Sequence, residues 1–128
     1  MTTAAALVFA VVTAGVIIFQ IALALGAPWG AYAMGGAVPG RFPTRMRVAA
    51  VGQAVLLALL VAIVLSSAGL IAVPVLEDLP SLIWLVVAFS ALSVVLNALS
   101  RSAGERRIWV PVATVMLVSS LVVALAPA

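Results

Sequence analysis

Four long apolar segments, separated by short segments that carry the charges and the turn-forming residues, dominate the pattern along the chain. They cover about residues 4–25, 48–73, 81–99 and 108–126, and no Asp, Glu, Lys or Arg interrupts any of them. A helix needs about 20 apolar residues to cross the hydrocarbon core of a bilayer, where it satisfies its own backbone hydrogen bonds. The pattern predicts an all-α integral membrane protein, a four-helix bundle with short loops, as a single transmembrane domain over residues 1–128.

The composition supports a lipid environment and excludes several kinds of site and partner. The chain is 67% hydrophobic and 7% charged, whereas soluble domains average about 45–50% apolar and about 25% charged residues. Cysteine and histidine are absent, which excludes disulfides and the usual zinc and haem ligands. We therefore expect no cofactor and no metal site. The positive charges are six arginines dispersed over two regions rather than one basic face, so we expect no nucleic-acid partner.

The first apolar segment differs from a cleaved signal peptide. Met1-Thr2-Thr3 carries no positive side chain, and the apolar stretch exceeds the usual signal-peptide core of about 7–15 residues. We expect this segment to be retained as a transmembrane helix, although the small residues Ala22-Leu23-Ala24 look similar to a cleavage site.

The arginines predict how the bundle is oriented. They lie in or beside the first and third loops, whereas the second loop carries Glu77 and Asp78 instead; the arginines are Arg41, Arg45, Arg47, Arg101, Arg106 and Arg107. In a four-pass chain the first and third loops share a side, and the positive-inside rule makes that side cytoplasmic. We expect a multi-pass protein of the cell membrane with both termini and the second loop outside the cytoplasm. Trp29, Trp84 and Trp109 fall near the predicted interfaces.

Polar side chains gather at a similar depth in the predicted helices. Gln20, Gln53, Asn97 and Thr114 each lie about 4–10 Å from the basic end of a different helix, at about 1.5 Å per residue. Ser90, Ser93, Asn97 and Ser100 share one face of the third helix, and that face leads to Arg101. One interpretation is a pocket for an anionic head group or small anion, with room for an acyl or isoprenoid tail. The alternative is that these groups hydrogen-bond between helices and only hold the bundle together.

The first loop is apolar yet rich in residues that break helices. Residues 26–43 contain glycines, prolines, Trp29 and Tyr32. The loop either lies in the membrane interface, with its arginines on anionic lipid, or folds back over the mouth of the bundle as a lid. The candidate ligand-binding residues from the helices and this loop are Gln20, Trp29, Tyr32, Arg47, Gln53, Asn97, Ser100 and Arg101.

Two further segments suggest helix starts. Glu77 and Asp78 precede Pro80, and such a carboxylate pair favours capping of the next helix over binding of a cation. Ser102-Ala103-Gly104-Glu105 has the form of a capping box that opens the last helix, with Pro111 expected in its first turns.

Two motifs resemble those of a group of small four-helix integral membrane proteins of bacteria, in particular of actinobacteria. One is Gly26-x-Pro28-Trp29-Gly30, followed by Gly35-Gly36 and Arg47; the other is Asn97-x-x-Ser100-x-Ser102-x-x-Glu105-Arg106, followed by Pro111. The resemblance covers nearly the whole chain. It implies a membrane location and no particular reaction, because the group has no assigned activity.

The available side chains narrow the functional classes. Without His, Cys or Lys, the sequence offers no nucleophile–base arrangement, so there is no candidate catalytic residue and an enzyme is disfavoured. No ionisable group lies inside a predicted span, which disfavours proton-coupled transport. We expect a lipid- or ligand-binding protein or an assembly subunit, with membrane lipids as partners, through anionic head groups at the cytoplasmic face, and a larger membrane protein or a second copy as possible further partners. The alternative is an uncoupled small-solute transporter or channel.

Overall fold

A computed structural model describes residues 1–126, and this part of the chain is helical and contains no β-strand. The helices are α1 (Thr2–Ala24), α2 (Thr44–Ser67), α3 (Pro74–Glu77), α4 (Leu82–Ala98) and α5 (Ala103–Leu125). Loop 1 (residues 25–43) joins α1 to α2 and contains two 3₁₀ turns, Gly30–Tyr32 and Met34–Gly36. Loop 2 (residues 68–81) contains the single turn α3, and loop 3 (residues 99–102) joins α4 to α5.

The long helices have the length and composition of membrane spans. α1, α2 and α5 have 23, 24 and 23 residues, and α4 is a shorter apolar helix of 17. Only 22–28% of the most apolar part of each of the three longer helices is buried inside the protein. The rest of that apolar surface faces outward, where only lipid is a suitable solvent. The all-α architecture with apolar helices suited to a membrane is therefore confirmed; three helices have the length of a span, and α4, expected as a fourth span, is shorter.

Helix α2 is shifted toward the N-terminus relative to the predicted segment 48–73. It begins at Thr44, directly after Pro43, and ends at Ser67. The end is a Schellman motif: Gly69 has φ +76°, its N–H donates to the Ser66 carbonyl (3.0 Å), and the N–H of Leu70 donates to the Leu65 carbonyl (2.9 Å). The apolar residues 70–73 are therefore loop, because a left-handed residue ends the helix whatever the hydropathy that follows it.

Helix α5 begins at Ala103, five residues before the predicted segment 108–126. The hydroxyl of Ser102 accepts a hydrogen bond from the N–H of Glu105 (3.1 Å), as the capping box predicts. The reciprocal bond does not form, because the N–H of Ser102 donates to Ser100 instead. With this early start Pro111 lies in the third turn rather than the first turns, and it leaves the carbonyl of Arg107 without its usual helical donor.

The acidic pair in loop 2 does not cap the following helix, so that prediction is wrong. Glu77 is the last residue of α3, and Asp78 follows it; both are exposed. The N-cap of α4 is Ser81, and its side chain makes no capping hydrogen bond. Within residues 1–126 there is no group of three or more acidic, His or Cys side chains suited to holding a metal ion.

The helices pack unequally around their common axis. α1 packs against α2 and α5, and α5 packs against α4, whereas α2 and α4 contact each other only weakly. An apolar cluster fills the half of the protein that lies toward loop 2; we call it the distal core, and it consists of Ala6, Phe9, Leu57, Leu60, Ile63, Val64, Ile83, Val86, Met116 and Val123. A smaller cluster at the opposite end, the loop-1 cluster, consists of Leu23, Ala33, Phe42 and Ala50.

Candidate functional site

A cavity of about 560 Å³ lies in the half of the protein toward loop 1. Residues of α1, α2, α4 and α5 line it, together with residues of loop 1 and Ser100 of loop 3. Its lining consists of Val16, Phe19, Gln20, Tyr32, Ala33, Met34, Gly35, Phe42, Ala49, Gln53, Leu57, Phe89, Leu92, Ser93, Leu96, Asn97, Ser100, Glu105, Trp109, Val112, Ala113 and Met116. The lining is mostly apolar, so the few polar groups define where a polar ligand group would sit.

Five of the eight candidate residues from the sequence line this cavity: Gln20, Tyr32, Gln53, Asn97 and Ser100. The three amides come from α1, α2 and α4, which agrees with the similar depth predicted for them. Asn97 donates its Nδ2 hydrogen to the carbonyl of Ser93 (2.7 Å), one turn earlier in α4. The amides of Gln20 and Gln53 form no hydrogen bond with any residue between 1 and 126.

The other three candidates lie outside the cavity and have other contacts. The Nε of Arg47 donates to the carbonyl of Ala24 (2.7 Å), so this arginine satisfies the C-terminal end of α1. The ring of Trp29 stacks on Phe19, with centroids 6.2 Å apart and an interplanar angle of 8°. Arg101 is exposed on loop 3. The polar face of α4 therefore lines the cavity through Ser93 and Asn97, continued by Ser100, whereas Arg101, to which that face was expected to lead, lies outside it.

The hydroxyls and amides of the helices do not connect one helix to another within the described part of the chain. Thr114, Ser119, Ser120 and Asn97 all donate to carbonyls of their own helix, at distances of 2.6–3.2 Å. The buried hydroxyls of Thr13 and Ser90 have no partner at all. Thr114 is exposed and lies outside the cavity, contrary to its predicted place beside the three amides. These contacts do not support the interpretation of the polar layer as a set of interhelical bonds.

Loop 1 is fastened to the beginning of α5 by three hydrogen bonds. The N–H of Gly35 donates to Oε2 of Glu105 (2.9 Å), the hydroxyl of Ser102 donates to the carbonyl of Ala31 (2.7 Å), and Nε1 of Trp109 donates to the carbonyl of Tyr32 (2.7 Å). Of the two alternatives for this loop, these bonds and the loop residues that line the cavity support the lid over the mouth of the bundle.

Two segments of the lid are joined to each other at Gly30. The N–H of this glycine donates to the carbonyl of Gly40 (2.9 Å), ten residues later in the loop. A Cβ atom at position 30 would lie 1.9 Å from the carbonyl oxygen of Val38 and 2.7 Å from that of Gly40. Only glycine permits this approach of two backbone segments. Below it, Phe42 is 3% exposed and packs in the loop-1 cluster.

Glu105 is a cavity residue that the sequence analysis did not find. Its side chain is 7% exposed, and it is the only charged group among the described residues that line the cavity. The neighbouring Arg106 is turned away and donates to the carbonyl oxygen of Ser100. Its sequence position did carry a signal, because it is the only carboxylate at the basic end of the chain's helices. The capping-box motif by itself does not indicate this second role of Glu105.

Aromatic rings are concentrated at the cavity. Five of the eight aromatic residues of the chain line it: Phe19, Tyr32, Phe42, Phe89 and Trp109. The rings of Phe19 and Trp109 lie 4.7 Å apart at 59° to each other, a tilted geometry that aromatic pairs favour. Glu105 and Trp109 are one helical turn apart, so the carboxylate and the indole lie on the same face of α5.

Comparison with family models, curated proteins and solved structures gives no match for this chain. The resemblance to small bacterial membrane proteins therefore stays an expectation. Chemically, the cavity combines apolar and aromatic surface with amides, two serines and one carboxylate. A mostly apolar cavity with a few polar groups is typical of a ligand-binding site.

Proposed function

We propose that this chain is a four-pass membrane protein that binds an amphipathic ligand in the cavity beneath loop 1. The observation that carries the proposal is the pair of glutamine amides, Gln20 and Gln53, that line a largely apolar cavity without a hydrogen-bond partner in the described chain. Both side chains are half-buried. A ligand with hydrogen-bonding groups at one end supplies partners for them, and each such bond contributes about 0.5–1.5 kcal/mol.

The proposed topology makes α4 the fourth span. Its 17 residues correspond to about 25 Å, somewhat less than the hydrocarbon thickness of about 30 Å, and small mismatches of this kind are accommodated at modest cost. Helix α4 packs closely against α5, the helix that follows it in the chain. The arginines place loops 1 and 3 at the cytoplasmic face under the positive-inside rule, with the termini and loop 2 on the other side.

The shape of the protein favours binding over passage of a solute. The distal core contains side chains from all four long helices, among them Phe9, Leu60, Val86 and Val123. This packing lies between the cavity and loop 2, and it supports a ligand that stays in the cavity over a solute that passes through the protein. The apolar part of the ligand would lie toward this core, and its polar part would lie near the amides and loop 1.

The arginines outside the cavity support a second contact, with the membrane surface. Arg41, Arg45, Arg101, Arg106 and Arg107 are exposed at the end of the protein that carries loops 1 and 3. In the proposed orientation they face the anionic cytoplasmic leaflet, where each basic side chain contributes about 1 kcal/mol. Lipid head groups are then partners of the outer surface rather than of the cavity.

Native mass spectrometry of the protein extracted gently from membranes tests the ligand proposal. We expect a reproducible bound molecule in the wild-type protein and loss of most of it in Gln53→Leu, which keeps the volume and removes the amide. Thr114→Val is the matched control, because Thr114 is an exposed polar residue of α5 that bonds only to its own helix. The control variant should keep the bound molecule.

Other results would contradict this proposal in favour of a defined alternative. A bare monomer from several membranes would leave the amides with a packing role only. A stoichiometric second protein would indicate an assembly subunit, and solute flux in proteoliposomes that Gln53→Leu abolishes would indicate the uncoupled transporter.

The topology can be tested separately because the chain contains no cysteine. Ala37 in loop 1 and Leu79 in loop 2 are both exposed, so each can be replaced by a single cysteine. We expect a membrane-impermeant thiol reagent to label Leu79→Cys in intact cells and Ala37→Cys only after the membrane is opened. The reverse pattern would invert the proposed orientation.

A further inference from the structure

We infer that the polar end of the ligand is an organic cation, held beside the carboxylate of Glu105 and the aromatic rings around it. This inference rests on the proposed function, because it names the chemical class of the ligand for the same cavity. It replaces the anionic head group that the sequence suggested for this end of the bundle.

The first argument is the state of the Glu105 carboxylate. Glu105 as a residue is 7% exposed, and its carboxylate accepts one hydrogen bond, from the N–H of Gly35. No arginine nitrogen of the described chain lies within salt-bridge distance of it. Burial of a charge without a counter-charge is costly. A cationic ligand supplies the missing charge.

The second argument is the set of rings on the same wall. Trp109 follows Glu105 by one helical turn, Phe19 lies against Trp109 with ring centroids 4.7 Å apart, and Tyr32 is joined to Trp109 through its carbonyl. The faces of aromatic rings attract cations, and quaternary ammonium groups are recognised by cages of such rings. A carboxylate beside several rings is therefore a site with complementary electrostatics for an organic cation.

The third argument is the separation of positive and negative charge at this end of the protein. None of the six arginines lines the cavity. Arg47 is engaged with the carbonyl of Ala24, and Arg106 with that of Ser100. An anionic ligand would meet Glu105 and no positive side chain inside the cavity, so the arrangement selects against it.

A direct test compares three probes with the same alkyl chain: decyltrimethylammonium, decanol and decyl sulfate. Binding of each radiolabelled probe to the full-length protein is measured in nanodiscs of zwitterionic lipid, with empty nanodiscs as the blank for partitioning. We expect decyltrimethylammonium to bind about tenfold more tightly than decanol, and decyl sulfate to bind most weakly, since a close charge pair in a partly dry site is worth at least about one factor of ten.

The variant Glu105→Gln isolates the charge. Its side-chain carbonyl still accepts a hydrogen bond from Gly35, so loop 1 keeps its anchor. We expect the affinity for decyltrimethylammonium to fall to that for decanol, while binding of decanol stays unchanged. Asp78→Asn is the matched control, because Asp78 is exposed and lies outside the cavity; it should leave all three affinities as they are.

Each outcome separates this inference from the proposed function. Equal binding of decyltrimethylammonium and decanol to the wild-type protein, or unchanged cation binding in Glu105→Gln, would overturn the cation while leaving a ligand cavity. Failure of all three probes to bind above the blank would overturn both. Because the comparison of probes on the wild-type protein needs no variant, it decides the question even if Glu105→Gln does not fold.

Discussion

The two halves of the bundle are stabilised in different ways. Toward loop 2, buried apolar side chains such as Phe9 and Val64 pack directly against one another. The pocket at that end, beside Glu77 and Val123, has a volume of about 280 Å³, half that of the cavity under loop 1. Toward loop 1, the helices enclose space, and the loop is held over it by hydrogen bonds donated by Ser102 and Trp109 and by one that Glu105 accepts. The half toward loop 2 is stabilised by side-chain packing, and the half toward loop 1 by a lid that hydrogen bonds hold in place.

This difference shows how a small membrane protein can keep a cavity and a stable fold together. In lipid, apolar burial contributes little to helix association, so close packing must hold the helices. The distal core supplies this packing, and the half toward loop 1 can therefore contain a cavity. Substitutions in the distal core should therefore lower stability alone, whereas substitutions at the opposite end should also change the lid and the cavity.

The largest effect is expected from Gly30→Ala. A Cβ there would overlap the carbonyl oxygens of Val38 and Gly40, so loop 1 must open, at a cost of about 3 kcal/mol in the free energy of unfolding. Thermal unfolding in detergent measures the loss of stability, and limited proteolysis measures the opening of loop 1. Gly52→Ala is the control, since its Cβ meets nothing within 4 Å in α2. Equal stability of the two variants would show that the lid does not close as described.

Phe9→Ala should be next in size. Phe9 is fully buried in the distal core, and its removal leaves a void that costs about 2 kcal/mol, less than in a soluble protein because lipid also solvates the unfolded side chain. Val11→Ala, at a position 72% exposed on the same helix, should change the unfolding temperature little. A larger loss for Val11→Ala would mean that the outer face of α1 is covered by another chain.

Ser102→Ala is expected to cost about 1–2 kcal/mol. The variant removes the capping hydrogen bond from the N–H of Glu105, so α5 frays at its start. It also removes the hydrogen bond to the carbonyl of Ala31, so the lid loses one anchor. Ser81→Ala provides the matched control, because Ser81 is an N-cap without a side-chain hydrogen bond. Hydrogen exchange at residues 103–106 should increase in Ser102→Ala alone.

The smallest effect is expected from Trp109→Phe, about 1 kcal/mol. The ring contact with Phe19 is kept, but the bond from Nε1 to the carbonyl of Tyr32 is lost. Trp84→Phe at an exposed position of α4 should be neutral in the same unfolding measurement. If Trp109→Phe were also neutral, the lid would depend on Ser102 and Glu105 alone.

Hydropathy predicted the positions of the four long helices well and their ends less well. The segments 4–25 and 81–99 agree with α1 and α4 within one or two residues. The end of α2 was placed six residues too late, because residues 68–73 are apolar although Gly69 is left-handed. The start of α5 was placed five residues too late, because arginines at the basic end are polar yet helical. A hydropathy scale indicates whether a segment is suited to lipid or to water, and it does not indicate the backbone conformation of that segment.

The candidate site was predictable only where it depends on depth along a helix. The amides of Gln20, Gln53 and Asn97 could be brought to one level from the rise per residue, and they do line one cavity. The role of Glu105 depends on a contact with Gly35, 70 residues away in the chain, which no local pattern encodes. For the same reason the sequence left open whether loop 1 is a lid.

Helices α2 and α4 both contribute to the wall of the cavity, contact each other only weakly, and expose mostly apolar residues on their outer faces. A molecule already dissolved in the bilayer would reach such a cavity by lateral diffusion in two dimensions, without crossing water. Its occupancy would then follow the mole fraction of that molecule among the lipids rather than its aqueous concentration. A modest intrinsic affinity is enough for a molecule that partitions strongly, and added lipid would empty the cavity by dilution alone.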